Sequence, residues 1–423
     1  MTDPTKMLPN LRFPEFKNDG EWKVVKLGDV FKRITDKNKE NNNNVLTISA
    51  QNGLVSQYDY FNKNVAANDV TGYYLIKTGD FAYNKSRSQG YPYGAIKPLK
   101  LYDKGVVSTL YICFRTKEQN SCIDFYEHYF ETDLIHNEIG KIAQEGARNH
   151  GLLNISTEDF FEKISLYIPS LPEQQKIAAF LTSLDEQISA HTKKLEALKA
   201  HKKGLMQQFF PVNGEKTPKL RFPEFENNGE WKIQTLGNCL LQAPDYGLNA
   251  RAVPYSPVLP TYLRITDIDD NGCFISNKKT SVDAEITDEN LLKAGDIVFA
   301  RTGASVGKVY KYRAEDGALI FAGFLIRVRP DNSKYCSDYI FQYLFTEEYK
   351  RWINITSSRS GQPGINSNEY ASLPIPFPSL PEQQKIASFL SSIDDMIQAQ
   401  DDKIRNLKIY KNGLMQQMFP HNK

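Results

Sequence analysis

Two long segments of this chain are nearly identical, and this repeat restricts the possible folds more than any other feature. The decapeptide PSLPEQQKIA begins at Pro169 and again at Pro378, 209 residues later. The match continues without a gap to Pro211 and Pro420, with 27 identities in 43 aligned positions. A second motif, LRFPEF followed by EW, opens at Leu11 and at Leu220 with the same offset. Solenoid repeats have periods of ~20–50 residues, so the chain is instead a tandem duplication of a domain followed by a segment.

The repeated segment predicts a long helix. Ser170 to Glu173 has the S-x-x-E form of a capping box with proline in the first turn, and the second copy repeats it. Apolar residues then recur in steps of four and three, which is a heptad pattern. They are Ile177, Leu181, Leu184, Ile188, Leu195, Leu198 and Leu205, then Ile386, Leu390, Ile393, Ile397, Ile404, Leu407 and Leu414. Two positions in each copy are polar instead, His191 and Lys202 in the first and Gln400 and Lys411 in the second. Each helix is predicted to have ~35 residues and a length of ~50 Å.

An isolated helix with such a stripe would expose a long apolar face, and its twin is the simplest cover. We therefore predict an α+β fold in which two globular mixed α/β domains are separated by two long helices that form an antiparallel, pseudo-two-fold coiled coil. The predicted boundaries are 1–168 and 212–377 for the domains, and 169–211 and 378–423 for the helices. Phe180 and Phe389, just off the stripe, predict a further contact with a domain or a subunit. The alternative is an ordinary core stripe within one domain.

Composition indicates a soluble chain and excludes several classes of protein. The chain has 40% apolar and 24% charged residues, and its formal net charge is +2, so any phosphate-binding surface must be a local cluster. The longest apolar run, 318–326, is far shorter than the ~20 residues of a membrane span. The five cysteines are scattered and none forms a CxxC, which favours a reducing cytoplasm. No histidine spacing predicts a metal site.

Motifs for catalysis are also missing. The [DNS]-P-P-[YF] motif of amino-methyltransferases is absent, since the chain has no Pro-Pro pair. The stretch GASVGK at 303–308 imitates a phosphate loop, but it has three residues between its glycines where the motif needs four, and valine follows the lysine. We predict a turn there. No E-x-K follows Pro330-Asp331 to complete a nuclease site. The sequence therefore predicts no catalytic residues.

The ordered set of motifs resembles the DNA-specificity (S) subunits of type I restriction–modification systems. The resemblance rests on the two PSLPEQQKIA helices, their GLMQQFFP and GLMQQMFP endings, and the two LRFPEF–EW openings. LTISAQNGLVSQ, GDFAYNKS and GDIVFARTG within the domains are also similar to this family, and GDF at 79–81 aligns with GDI at 295–297. The resemblance covers nearly the whole chain, in the family's order of target-recognition domain, helix, target-recognition domain, helix.

The resemblance implies a non-catalytic subunit that holds no cofactor and recognises a two-part, asymmetric target in double-stranded DNA. Two modification subunits, which carry S-adenosylmethionine and methylate adenine at N6, would dock on it. Restriction subunits, which use ATP and Mg²⁺, would join through them. Each domain would read one half-site, and the helices would set the gap. Three alternatives stay open: a methyltransferase-only or type II-like system, a self-contained modification enzyme, and a coiled-coil structural adaptor.

Loops rich in base-reading residue types mark where the domains would contact DNA. Arg, Lys, Asn, Gln, Ser and Thr read base edges, and loops on a rigid scaffold present them. Loops 83–94 and 147–151 fit in the first domain, and 300–308 and 357–364 hold matching places in the second. The candidates are Tyr83, Asn84, Lys85, Arg87, Gln89, Tyr91, Arg148 and Asn149, then Arg301, Thr302, Ser305, Lys308, Arg359 and Gln362. The alternative for each is a solvated turn.

Overall fold

The computed structural model describes residues 8–49, 53–61, 69–88, 90–145, 151, 153–212, 214–358 and 362–420. The chain forms two compact units. Unit 1 comprises Met1–Thr192 together with Lys403–Lys423, and unit 2 is Lys193–Asp402. Each unit therefore contains one globular domain, the first part of one long helix and the last part of the other.

Unit 1 contains twelve described strands and five short helices ahead of the first long helix. Its strands are β1 Lys23–Lys26, β2 Phe31–Ile34, β3 Leu46–Ser49, β4 Gly53–Ser56, β5 Tyr74–Lys77, β6 Phe81–Asn84, β7 Ala95–Pro98, β8 Lys104–Val107, β9 Ile112–Thr116, β10 Gln144–Glu145, β11 Leu153–Asn154 and β12 Ser165–Ile168. Its helices are α1 Leu27–Val30, α2 Gln57–Phe61, α3 Ile123–Tyr129, α4 Asp133–Ile142 and α5 Thr157–Glu162, and the long helix α6 is Leu171–Phe209.

Unit 2 has ten described strands and three short helices, and the second long helix begins in it. The strands are β13 Lys232–Thr235, β14 Asp245–Tyr246, β15 Ala252–Pro254, β16 Thr261–Leu263, β17 Thr280–Val282, β18 Ile297–Ala300, β19 Val309–Lys311, β20 Leu319–Phe321, β21 Leu325–Val328 and β22 Pro374–Phe377. The helices are α7 Ser337–Tyr343, α8 Glu347–Thr356, α9 Ser367–Ala371 and the long α10 Leu380–Met418.

The same central sheet recurs in both units, although the domain sequences differ. Unit 1 has an antiparallel sheet of order β2-β9-β6-β7, and unit 2 has one of order β14-β21-β18-β19. A two-stranded antiparallel pair joins the start and end of each domain, β1 with β12 and β13 with β22. Strands β6, β18 and β21 are buried along most or all of their length, so apolar burial on both faces stabilises the central sheets. The sequence patches GDF and GDI open equivalent strands, β6 and β18, as their alignment predicts.

The second sheet distinguishes the units. In unit 2, strands β15-β17-β16-β20 form one four-stranded mixed sheet, in which only β16 and β20 are parallel. In unit 1 the corresponding region holds two separate antiparallel pairs, β3 with β4 and β5 with β8. The two repeats therefore differ in the strand pairing of the second sheet. Their central sheets, which carry the candidate DNA-binding loops, have the same strand order.

Both long helices have 39 residues and are longer than predicted. They continue through Gly204 and Gly413, because a single helical glycine costs only ~1 kcal/mol and the residues that follow pack into the domains. Met206 and Phe209 at the end of α6 are buried in the core of unit 2, and Met415 and Met418 of α10 are buried in that of unit 1. In the described part of the chain, no helix is long and apolar enough to cross a membrane.

Contacts between helices and domains repeat in the two units with the roles of α6 and α10 exchanged. In unit 1, Arg12 forms a bidentate ion pair with Glu173, and the Leu11 amide donates to the Gln417 carbonyl, 2.8 Å away. In unit 2, Arg221 pairs with Glu382 in the same way. There the Leu220 amide donates to the Gln208 carbonyl at 3.0 Å.

The helical segments run antiparallel within each unit, as the repeat predicts. In unit 1, Lys411 contacts Asp185 at 2.5 Å, while residue 417, nearer the end of α10, lies beside the start of α6. The equivalent pair in unit 2 is Lys202 with Asp394 at 2.6 Å. The lysines that interrupt the heptads are thus satisfied by aspartates from the opposite repeat.

Most of the heptad residues face inward. Ile177, Leu181, Leu184 and Leu195 are buried in α6, and Ile386, Leu390, Ile393, Ile404 and Leu414 are buried in α10. The remaining members are half-buried, namely Ile188, Leu198, Leu205, Ile397 and Leu407. The predicted extra contact is confirmed, because the Phe180 ring packs on Phe13 and the Phe389 ring packs on Phe222 and Phe209.

One helix contact differs chemically between the units. His128 of α3 lies beside the Asp185–Lys411 pair and is hydrogen-bonded to Thr182 Oγ1 at 3.2 Å. The equivalent residue of α7, Gln342, donates to Asp394 at 2.8 Å. Burial, with a smaller contribution from Lys411, lowers the pKa of His128 to about 4 from its ordinary 6.5.

We expect unit 1 to lose stability on acidification through His128. A folded-state pKa below the unfolded value means that the unfolded chain binds the proton more tightly between about pH 6.5 and pH 4, so stability falls as pH falls through that window. The loss is ~2 kcal/mol at pH 5 for a shift of this size. His128→Gln, which copies unit 2, should remove it. Urea unfolding at pH 7 and pH 5 measures the free energy of unfolding of the wild type and of His128→Gln. The same pH dependence in the two proteins would contradict this role of His128.

Candidate DNA-binding surface

In unit 1, the two predicted loops meet at the end of strand β6. Beyond Asn84, the Arg87 amide donates to the Gly151 carbonyl at 2.8 Å, and the Leu153 amide donates to the Lys85 carbonyl at 3.1 Å. The segment after β6 therefore pairs with the segment that leads into β11. Lys85 is half-buried and Arg87 is exposed.

Unit 2 repeats this arrangement at the end of strand β18. The Ile365 amide donates to the Arg301 carbonyl at 2.9 Å, and the Gly303 amide donates to the Pro363 carbonyl at 3.0 Å. The two stretches were recognised separately in the sequence, and each unit joins them at the same place on its central sheet. The stretch GASVGK forms a turn with a short 3-10 helix at Gly303–Ser305, as predicted.

Buried ion pairs fix the strands that carry these loops. Arg115 of β9 holds Asp80 at 2.7 Å and 2.9 Å, and Arg329, just after β21, holds Asp296 at the same two distances. Asp80 and Asp296 immediately precede β6 and β18. Burial raises the pKa of Asp80, against the opposing effect of Arg115. The loops thus follow inner strands of the central sheets, where surface residues can be held in a fixed geometry.

In the unit 2 loops, a half-buried cation is stacked on an aromatic ring. The Arg301 guanidinium lies over the ring of Tyr246, 4.9 Å from its centroid. The Ser367 amide donates to the Tyr246 hydroxyl at 3.1 Å. Hydrogen bonding by Ser367, chiefly through its side chain, lowers the pKa of that hydroxyl. Because Tyr246 fixes the plane of the guanidinium, the donors of Arg301 are oriented before any ligand arrives.

The other unit 2 candidates lie on the same loops with different environments. Thr302 forms an antiparallel bridge with Gly364, and Ser305 lies in the short 3-10 helix. Lys308 is paired with Asp270 at 3.0 Å, and Gln362 is exposed. Arg359 lies outside the described residues.

Two of the unit 1 candidates, Tyr83 and Tyr91, form hydrogen bonds within the domain. Tyr83 is wrong as a DNA-contacting residue: its ring is fully buried and stacked on Phe160, and its hydroxyl donates to the Tyr93 carbonyl at 2.7 Å. Strand alternation turns this position into the core. Tyr91 donates to Glu131 at 2.7 Å, and burial raises the pKa of its hydroxyl.

Four more unit 1 candidates are Lys85 and three residues of the loops. Burial lowers the pKa of the Lys85 ammonium group. Gln89, Arg148 and Asn149 lie outside the described residues.

Sequence reasoning missed two exposed apolar residues next to these loops. Phe324, between β20 and β21, is 60% exposed, and its carbonyl accepts a hydrogen bond from the Arg301 amide at 3.1 Å. Leu110, just before β9, holds the corresponding place in unit 1 and is 65% exposed. The available signal was an apolar residue at matching positions of both repeats.

The described residues offer no group of three His, Cys, Asp or Glu side chains placed to hold a metal ion. Together, the repeated sheet, the paired loops and the two long helices define a duplicated recognition protein.

Comparison with known proteins identifies the class. The family model for the type I restriction modification DNA specificity domain matches twice, at residues 19–200 and 206–408. The chain therefore belongs to the type I restriction–modification DNA-specificity family. It is a specificity subunit, the component that recognises DNA, and catalysis lies in other subunits.

Relatives agree with this assignment, and a solved structure shares the fold. The type I restriction enzyme MjaVIII specificity subunit of Methanocaldococcus jannaschii is 22% identical over 97% of this chain and 93% of its own. The EcoDI specificity subunit of Escherichia coli is 23% identical over 94% and 87%, respectively. The crystal structure of an S subunit from M. genitalium shares the fold, with a TM-score of 0.62, 14% identity and coverage of 99% and 100%.

Proposed function

We propose that each unit reads one half of a bipartite, asymmetric DNA target through the paired loops at the end of its central sheet. The observation that carries this proposal is the repetition of one loop arrangement on two divergent domains. In both units the strand-end loop pairs with a second loop, but the side chains differ: Arg301 and Gln362 in unit 2, Lys85 and Arg87 in unit 1. Different side chains on equal scaffolds favour different half-sites.

The recognition domains span 1–168 and 212–377 in this proposal, and 169–211 and 378–423 are the helices that separate them. Direct readout would come from Arg301, Gln362, Arg87 and their neighbours, because guanidinium and amide groups pair with base edges in the major groove. Exposed Phe324 and Leu110 add apolar contacts of the kind that thymine methyl groups accept. Asn84, Thr302, Ser305, Lys308, Gln89, Arg148, Asn149 and Arg359 complete the proposed surface.

Two modification subunits would dock on the repeated helices, and restriction subunits would join through them. S-adenosylmethionine would then be held by the modification subunit, and ATP and Mg²⁺ by the restriction subunit. The near identity of α6 and α10, in a chain whose domains have diverged, supports two equal docking positions. A methyltransferase-only assembly would use the same surfaces.

Selection of DNA from a random duplex library by the chain in complex with its modification subunit tests this function. We expect two short specified blocks separated by an unspecified gap, with affinity falling steeply as salt rises because lysine and arginine contacts release counterions. A library without enrichment would favour a structural adaptor. Methylation of DNA by the purified chain alone would support the alternative of a self-contained modification enzyme.

A further inference from the structure

In each unit, two buried aromatic rings pack on each other at equivalent positions of the repeat. In unit 1, Tyr83 of β6 stacks on Phe160 of α5, with 5.1 Å between the ring centroids. In unit 2, Phe299 of β18 packs on Tyr370 of α9 at 4.6 Å. Tyr83 and Phe299 are the third residues of their strands, while Phe160 and Tyr370 each lie four residues after a helix N-cap. The phenol hydroxyl therefore belongs to the strand in unit 1 and to the helix in unit 2.

Both hydroxyls bind the backbone of a strand-end loop, which is the loop between β6 and β7 in unit 1 and between β18 and β19 in unit 2. Tyr83 donates to the Tyr93 carbonyl at 2.7 Å, two residues before β7 begins. Tyr370 donates to the carbonyl of Ala300, the last residue of β18, at 2.8 Å. The ring that supplies the hydroxyl has changed between the repeats, yet each unit keeps a hydrogen bond to one end of its loop.

A third tyrosine holds the other end of the unit 2 loop. Tyr349 of α8 donates to the Gly307 carbonyl at 2.8 Å, and Gly307 lies two residues before β19. This acceptor therefore has the same place in unit 2 as the Tyr93 carbonyl has in unit 1. Gly307 has a φ of +84°, and a Cβ atom there would lie 2.8 Å from the Ile353 side chain of α8. The end of the loop thus packs directly on α8.

The three hydroxyls are donors at neutral pH. Burial raises the pKa of Tyr83, Tyr349 and Tyr370 above the ordinary value of a phenol, so each hydroxyl keeps its proton. The rings are at most 2% exposed and belong to the cores of their units. Because each loop carbonyl accepts a hydrogen bond from a core side chain, its position relative to the core is fixed.

The proposed base-reading side chains lie close to these fixed carbonyls. Arg301 directly follows Ala300, and its guanidinium is stacked on Tyr246. Lys85 is the first residue of the unit 1 loop. Recognition of a base edge requires donors that are held to within about 0.5 Å, whereas contacts with phosphate carry no sequence information. A loop whose ends move would therefore lose discrimination between bases before it loses its attraction to DNA.

We propose that Tyr83 in unit 1, and Tyr349 and Tyr370 in unit 2, are positioning residues for DNA recognition. This inference rests on the proposed function, in which the strand-end loops read bases. The three side chains are buried and act through the loop backbone, which they hold at its ends. The exchange of the hydroxyl between strand and helix supports this role, because a donor to the loop is kept although the residue that provides it differs.

Tyr→Phe substitutions test the proposal because they remove only the hydroxyl. The variants are Y349F, Y370F and both together in unit 2, and Y83F in unit 1. The matched control is Y339F, since the Tyr339 hydroxyl is also buried but donates to the Pro376 carbonyl of β22, 2.6 Å away. Each chain is studied in complex with the modification subunit of its system. Binding is measured for the target, for targets altered in either half and for random duplex, and urea unfolding measures stability.

We expect Y349F/Y370F to lower the discrimination of one half-site about tenfold, and each single variant about threefold, as the loss of one or two hydrogen bonds predicts. Y83F should lower the discrimination of the other half-site about threefold. In every case the second half-site and random duplex should be bound as by the wild type. Y339F should lose a similar amount of stability without any change in discrimination.

Unchanged discrimination in the folded unit 2 variants would overturn the positioning role. An equal loss at both half-sites, or in Y339F, would also overturn it, because a general loss of stability would then explain the effect. The single variants replace Y349F/Y370F if the double variant misfolds. A wild type that discriminates neither half-site would overturn the proposed function itself, which separates the two failures.

Discussion

Glu382→Ala is expected to destabilise unit 2 by ~3–5 kcal/mol, the cost of leaving a buried charge without its partner. The Glu382 side chain is fully buried, and it accepts two hydrogen bonds from Arg221, at 2.7 Å and 2.9 Å. The contact with Glu382 raises the pKa of the Arg221 guanidinium. Arginine also stays charged without that contact, because its ordinary pKa lies far above neutral pH. The pair joins the domain opening to the first turn of α10, and its loss would loosen both.

Urea unfolding of the full chain measures this loss, with Glu224→Ala as the matched control. Glu224 pairs with Lys385 on the surface nearby, and an exposed pair contributes only ~0–1 kcal/mol. The equivalent substitution in unit 1, Glu173→Ala, should reproduce the effect because Arg12 and Glu173 form the same bidentate pair. Similar small losses for Glu382→Ala and Glu224→Ala would show that the buried pair does not hold the domain to the helix.

Arg301→Ala is expected to weaken or relax recognition of one half-site only, by ~1–3 kcal/mol if the guanidinium reads a base. Arg301 is held over Tyr246 and by backbone hydrogen bonds on both sides, so its donors are already oriented. Under the proposed function unit 1 reads the other half-site, so the preference for that half-site should be unchanged. Lys334→Ala, which removes an exposed unit 2 cation outside the loops, controls for the lost charge.

Binding of the complex to its target, to targets altered in either half, and to random duplex measures the effect. An equal loss on specific and random DNA would make Arg301 a phosphate contact, which carries no sequence information. An equal relaxation of both half-sites would contradict the assignment of one half-site to each unit.

The repeat made the helices the most predictable part of the fold. Heptad spacing and the capping box located α6 and α10, and the shared offset of 209 residues predicted their antiparallel pairing. Their ends were harder to predict, because Gly204 resembles a stop signal while Met206 and Phe209 continue into a domain core. Tertiary packing overrides a weak local signal there.

The domains were less predictable, since their sequences give short strands without strong periodicity. The patches GDF and GDI and the loops after them aligned correctly, but the pairing of 301–303 with 363–365 depends on contacts between distant segments. Tyr83 was misassigned because a tyrosine beside lysine and arginine resembles a surface loop, while strand alternation turns it inward. Phe324 and Leu110 were missed because apolar residues are usually assigned to a core.

Genome-wide mapping of N6-methyladenine tests the central claim most directly: that this chain supplies a bipartite specificity to its modification subunit. Cells that express the modification subunit are compared with and without this chain. We predict methylation at one asymmetric two-part motif that appears only when both proteins are present. Methylation that is unchanged by this chain, in the presence of a functional modification subunit, would contradict the account.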